Sequence, residues 1–136
     1  MSHSSSQPVP LGAYTLPGRV SDPTVAVGQA KVAEHLGLET IWISERYGTK
    51  DVGVLGGAIA ASTTDIKIAS GVAHFLFRHP LVLAGMAMTL QALSGGRFIL
   101  GVGRSVGPMW TAVGLPKMTN QALVDCADIQ DRKSVV

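Results

Sequence analysis

The sequence predicts an α/β fold in which parallel strands alternate with helices, and three observations carry that prediction. Ile68-Ala69-Ser70-Gly71-Val72 leads through Arg78-His79-Pro80 into the apolar run Leu81–Leu93, and Ser94-Gly95-Gly96 then opens onto Arg97–Gly103, which reads as strand, loop, helix, tight turn, strand. Upstream, a helix stopping at Gly37 feeds the short β-branched segment Thr40-Ile41-Trp42-Ile43-Ser44. Glycine and proline punctuate every junction between strand-length and helix-length apolar segments. Strands joined by helical crossovers run parallel, and such folds bind ligands at the C-terminal ends of their strands. The functional loops are therefore expected after Ser44, Gly71 and Gly103.

The elements follow in order. Leu11-Gly12-Ala13-Tyr14 is a first short strand after a flexible polar leader, residues 1–10. Asp22-Pro23 starts a helix, because Asp accepts from an orphan backbone amide and Pro loses nothing at the next position. Ala26, Ala30, Ala33 and Leu36 mark its inner face, and Gly37 supplies the left-handed stop. Residues 40–44 read as a strand buried on both faces. A second helix covers Val52–Ala61, where Gly53, Gly56 and Gly57 each cost roughly 1 kcal/mol relative to Ala and suggest close packing on the sheet. Asp65–Ala69 is the third strand, and Pro80 opens the third helix behind His79. The fourth strand is Arg97–Val102. After a glycine- and proline-containing loop, Thr119 or Asn120 caps a last helix with Ala122, Leu123, Ala127 and Ile129 at approximate helical spacing.

Composition narrows the function classes. The chain has 136 residues, 46% of them hydrophobic, enough for one domain with a buried core. A net charge of +2 with scattered basic residues gives no stripe for nucleic acid or an anionic membrane. Neither a signal-peptide core nor a bilayer-length apolar run is visible, so a soluble, cytoplasmic protein is expected. A single cysteine, Cys126, excludes an internal disulfide and a cysteine-rich metal site, and is read as an inert helix residue.

Four β-α pairs are half of an eight-unit (β/α) barrel, whose complete form takes ~250 residues. A small doubly wound sheet fits the same length, and the pattern leaves both architectures open. Gly101-Val102-Gly103-Arg104-Ser105-Val106-Gly107 invites a nucleotide-site reading, but the third glycine comes one residue late for G-x-G-x-x-G and Pro108 follows it. Ser44-Glu45-Arg46-Tyr47 is either a ligand-orienting rim or an exposed Glu45–Arg46 pair. His74 is a candidate acid/base group near the third strand's end, whereas His79 reads as a helix N-terminal residue. No metal-ligand spacing and no Ser-His-Asp pattern are present, so no metal site is expected.

Leu16-Pro17-Gly18-Arg19, Ile43-Ser44-Glu45-Arg46, Ala69-Ser70-Gly71-Val72, Arg78-His79-Pro80 and Leu93-Ser94-Gly95-Gly96-Arg97-Phe98-Ile99-Leu100-Gly101-Val102-Gly103-Arg104 resemble the N-terminal half of the bacterial luciferase-like family, over about residues 11–130. Within it they most resemble the branch using the deazaflavin coenzyme F-420. The resemblance implies the N-terminal half of a (β/α)8 TIM barrel and an oxidoreductase exchanging hydride between F-420 and a small organic substrate. A flavin mononucleotide (FMN)-dependent monooxygenase of the same fold is the rival, and a non-catalytic half-barrel association module the reading from another class. It also implies a non-proline cis peptide at Gly71-Val72 backing the deazaflavin ring, with Glu45 near the cofactor, Gly103 on the ring's other side and Ser44 a further neighbour. His74, beside that bulge, is the catalytic candidate. The complete protein is expected to be a homodimer.

Two departures limit the transfer. Sugar-phosphate dehydrogenase members carry a histidine where this chain has Arg46 and a glutamate where it has Val106, so their acid/base assignment does not carry over. The loop Val72–Pro80 has the length found in methylene-tetrahydromethanopterin reductase-like members. The last six residues, Asp131–Val136, are what GAT CGG AAG AGC GTC GTG encodes, a string common in sequencing-library adapters whose next codon, TAG, is a stop. Residues 131–136 are accordingly expected to be a non-native tail. The chain is then a truncated part, inactive alone and aggregation-prone unless it pairs with a second copy.

Overall fold

A computed structural model describes the backbone of residues 9–133 and the side chains of residues 9–128. Most of the leader and residues 134–136 of the tail lie outside the described residues. Four strands form one parallel sheet in sequential order: β1 (Gly12–Thr15), β2 (Thr40–Ile43), β3 (Lys67–Ser70) and β5 (Phe98–Ile99). Helices α1 (Val25–His35), α2 (Val52–Ala60) and α3 (Pro80–Leu93) make the crossovers. A parallel pair β4 (Ala73–His74) and β6 (Val102–Gly103) continues the β3 and β5 ends. Short α4 (Gly107–Ala112) and α5 (Asn120–Lys133) complete the chain.

Register explains which side is buried. Ile41, Ile43, Ile68 and Phe98 join one core with Ala26, Ala30 and Ala33 of α1, Val52, Leu55 and Ile59 of α2, and Leu83 and Leu90 of α3. The other face carries Tyr14, Trp42, Ala69 and Ile99 in register, with Tyr14 55% and Ile99 44% exposed. Sequential strand order with helices on one face is a barrel wall; a doubly wound sheet reverses its order and carries helices on both faces. The fold is thus α/β with parallel strands, part of a barrel.

Several local expectations need correction. α1 begins at Val25 rather than at Pro23, because Asp22 caps only the preceding turn, accepting from Thr24 N–H at 2.9 Å and from its hydroxyl at 2.5 Å. Leu36 is 69% exposed, being past the last helical turn, although Gly37 does take the left-handed conformation at φ +75°. β2 is fully buried on its helix-facing side only. The α2 glycines pack on α3 rather than on the sheet: a Cβ at Gly56 would lie 3.2 Å from Leu90, and one at Gly53 3.0 Å from Met86 Sδ. The fourth strand is broken at Leu100-Gly101, the following loop contains α4, and α5 runs to Lys133, into the segment expected as a tail. His79 caps α3, its Nδ1 accepting from Leu81 N–H, and Thr119 receives Ala122 N–H at 3.2 Å.

Two side chains staple the N-terminal ends of the strands. The Arg97 guanidinium donates to the carbonyls of Ala60, Thr63, Ile66 and Ser94 and to the Thr63 hydroxyl, at 2.7–3.1 Å. Glu34 Oε1 accepts the main-chain N–H groups of Thr64, Asp65 and Ile66 at 2.9, 2.7 and 3.0 Å. Those donors, Asp65 foremost, hold the Glu34 carboxyl below its ordinary 4.5. A carboxyl depressed by folding adds stability above its unfolded value and loses it as pH falls through the folded one. Glu34→Gln should therefore lower the urea midpoint at neutral pH, with the difference from the parent chain shrinking below about pH 4. A constant difference across that range would contradict the assignment.

Candidate functional site

The C-terminal ends of the strands converge through main-chain and side-chain bonds. Ser44 and Glu45 leave β2, and an Arg46–Lys50 bridge closes the next loop, with Gly48 at φ +80° allowing the reversal. Glu45 N–H donates to Val72 O at 3.4 Å, and Gly71 N–H to Ile43 O at 2.9 Å, tying the segment after β3 to the end of β2. The Gly71-Val72 peptide is cis.

Glu45 is the hub. Its side chain is 4% exposed, and Arg78 grips both oxygens, Nη1 on Oε2 at 2.7 Å and Nη2 on Oε1 at 2.5 Å. His74 N–H also donates to Oε2 at 2.7 Å and Val52 N–H to Oε1 at 3.3 Å. Arg78 Nη2 reaches Asp51 Oδ2 at 2.5 Å, and Asp51 caps α2 through Val54 N–H. One carboxylate thereby joins the end of β2, the N-terminus of α2, β4 and the segment entering α3. The Glu45 bond raises the Arg78 pKa further above its ordinary value. The alternative of an exposed Glu45–Arg46 pair is corrected: Glu45 is buried and its cation is Arg78.

The remaining candidates lie around this hub. His74 sits in β4 opposite Gly103. Its Nε2 lies 3.2 Å from Glu45 O, and a carbonyl only accepts, so Nε2 carries the proton. Nδ1 is then a lone-pair acceptor, buried and, among the described residues, without a hydrogen-bond partner. Phe77 meets the imidazole edge-on at 5.2 Å. A Cβ at Gly103 would lie 2.4 Å from Val72 Cγ2, so the glycine lets β6 close on the bulge. At Gly71 a Cβ would meet Tyr14 Oη at 2.7 Å and Trp42 Cε3 at 3.1 Å; these rings form a tilted pair 6.2 Å apart below the bulge. Ser44, Glu45, Gly71, Val72, His74 and Gly103 are thus neighbours at one rim.

Three contributors escaped the sequence reading. Ser70 Oγ is 2.8 Å from both the nitrogen and the oxygen of Gly101, pinning the break between β5 and β6. Arg78, read only as part of a helix-start motif, is the Glu45 partner. Lys50 is buried, donating to Leu16 O, Gly18 O and Ser44 Oγ; burial, with the Arg46 charge nearby, pushes its pKa below the ordinary range. The positive charge in Ser44–Lys50 was visible, but its direction inward was not.

A cavity of about 770 Å³ lies elsewhere, lined by Ala84, Met88, Gln91, Phe98 and Ala127 among others, and none of the rim candidates lines it. Among the described residues no cluster of three or more His, Cys, Asp or Glu is placed to hold a metal, and no helix is long and apolar enough to cross a membrane. The aromatic pair beneath Gly71, the unpartnered His74 Nδ1 and the Ser44 hydroxyl suit a flat heteroaromatic group with polar edges.

The profile of the luciferase-like monooxygenase family matches residues 2–124. A 5,10-methylenetetrahydromethanopterin reductase of Methanolobus tindarius is 33% identical over 96 residues, 70% of this chain and 29% of the relative. Its namesake from Methanopyrus kandleri is 39% identical over 95 residues, 69% and 27% of the two chains. The structure of the coenzyme F-420 dependent tetrahydromethanopterin reductase from Methanopyrus kandleri superposes with TM-score 0.71 and 34% identity over 79% of this chain and 30% of that one. The oxygenating constituent of 3,6-diketocamphane monooxygenase from Pseudomonas putida, in complex with FMN, gives 0.76 at 24% identity over 90% and 38%, a likeness of fold alone. The chain spans less than a third of the length of these two reductases.

Proposed function

Since this chain belongs to the luciferase-like monooxygenase family, we propose that its strand-end rim is the ring-binding part of an oxidoreductase that uses coenzyme F-420. The bound cofactor supplies the hydride chemistry, and the protein supplies orientation and electrostatics. The observation that carries this reading is the meeting of the cis Gly71-Val72 bulge, Gly103 and the unpartnered His74 Nδ1 at one rim. The likeness to the coenzyme F-420 dependent reductase, at 34% identity, favours the deazaflavin over flavin.

The bulge and Gly103 form the surface against which the ring rests. Glu45 acts through that surface, since its oxygens are occupied by Arg78, His74 N–H and Val52 N–H. Ser44 offers a hydroxyl to a polar ring edge. His74, with Nε2 held by the Glu45 carbonyl and Nδ1 buried beside the bulge, is the acid/base candidate of the rim. The substrate is a small organic molecule, and turnover is expected only where the remainder of a barrel closes over the rim; a homodimeric, cytoplasmic complete protein goes with this reading.

Fluorescence titration tests the cofactor. In the complete protein, oxidised F-420 should bind more tightly than FMN. Tighter FMN binding, with oxygen consumption on reduction, would instead favour the monooxygenase rival. Binding of neither would leave the half-barrel association module.

A further inference from the structure

Lys50 is 1% exposed, and its ammonium donates to Leu16 O at 2.8 Å, Gly18 O at 3.2 Å and Ser44 Oγ at 3.0 Å. All three acceptors are neutral. The two carboxylates nearest in sequence, Glu45 and Asp51, both pair with Arg78. An ammonium has three donors and no lone pair, so Ser44 Oγ must accept from it and turn its own hydrogen elsewhere. Among the described residues no acceptor takes that hydrogen, and Ser44 is half-buried at the rim beside Glu45.

We propose that Lys50 is a positioning residue that locks Ser44 as a hydrogen-bond donor toward an electron-rich oxygen or nitrogen on the edge of a flat heteroaromatic cofactor. This rests on the reading of the rim as a ring site. A serine hydroxyl can donate or accept, so alone it discriminates little between ligand edges. With a buried cation behind it, the hydroxyl is polarised and its direction decided, and the donor is strengthened toward acceptors carrying negative charge. The same ammonium holds the Leu16–Gly18 turn against the end of β2, so the donor's base is rigid. Without Lys50, the hydroxyl is free to turn its hydrogen inward.

The test is titration of the complete protein, this chain together with the remainder of its barrel, with oxidised F-420, using Ser44→Ala, Lys50→Met, their combination and Lys50→Arg. Each of the first two should weaken binding about five- to tenfold, the worth of one polarised hydrogen bond. The combination should bind no more weakly than the poorer single variant, because both act through one contact. Lys50→Arg, which keeps a donating cation, should recover part of the loss, and Ser44→Ala, which takes one acceptor from the buried ammonium, should melt several degrees below the parent but still cooperatively. Additive losses, or unchanged affinity in Ser44→Ala, overturn the proposal; the latter decides alone if Lys50→Met does not fold. An unaltered complete protein that binds neither F-420 nor FMN overturns the functional reading and this proposal together, whereas binding with additive losses overturns this one only.

Discussion

Arg78→Ala is expected to lower stability by about 3–5 kcal/mol, the cost of removing one partner from a buried ion pair. The parent arrangement leaves Glu45 4% and Arg78 15% exposed in their side chains. Without the guanidinium, the carboxylate keeps only the N–H groups of Val52 and His74, too little to offset its lost hydration. Adding Glu45→Gln should recover part of the loss, because the neutral amide no longer leaves a buried charge unpaired. Chemical denaturation of both variants measures this. Amide exchange at His74 should accelerate in Arg78→Ala, since that N–H is held by the same carboxylate. A loss below about 1 kcal/mol, the range of exposed pairs, would show that Glu45 regains water and that the pair does not hold the rim.

Gly101→Ala is the second large effect. A Cβ there would stand 2.3 Å from the Ser70 carbonyl oxygen, a backbone atom that cannot swing aside. The Ser70 hydroxyl is bonded to both Gly101 main-chain groups, and Ala73 N–H donates to Gly101 O at 2.8 Å, so relief by moving the strand breaks those bonds too. Overpacking of this kind costs about 1–3 kcal/mol, and losing the Ser70 contacts adds to it. The thermal midpoint should fall by roughly 10 °C. Gly107→Ala is the control, because nothing lies within 4 Å of a Cβ there and no positive φ is required. Equal melting of the two variants would mean that the approach of β3 and residue 101 is not tightly packed.

The strand ends were legible because their residues are ordered by local chemistry. The β-branched run Thr40–Ile43, the Gly37 stop, the Pro80 start and the Gly95-Gly96 turn each restrict φ and ψ on their own, and the structure places elements within a few residues of those signals. Boundaries slipped where a side chain made an alternative bond. Asp22 capped a turn ahead of α1, and Ser70 captured Gly101 and split one expected strand into β5 and β6. The helix α4 had no cap to announce it: Val106 contributes no side-chain hydrogen bond, and the element is held by burial of Trp110, whose Nε1 donates to Arg104 O at 2.6 Å.

What the sequence determined by itself was the order of parallel strands and crossovers, the rim at which Ser44, Glu45, Gly71, Val72, His74 and Gly103 emerge, and, through ordered motifs, the family. Periodicity and turn chemistry act over a few residues, so they survive reading one residue at a time. Tertiary structure alone decided which charges meet. Glu45 and Arg78 are 33 positions apart, Lys50 and Leu16 34, Arg97 and Thr63 34, and no local pattern states which cation will neutralise a given carboxylate or which will turn inward. Those choices follow from desolvation. A charge carried into the sheet's end by its neighbours takes whichever partner the packed backbone leaves within hydrogen-bond reach, and that distance exists only once β2, β3 and the N-termini of α2 and α3 have come together.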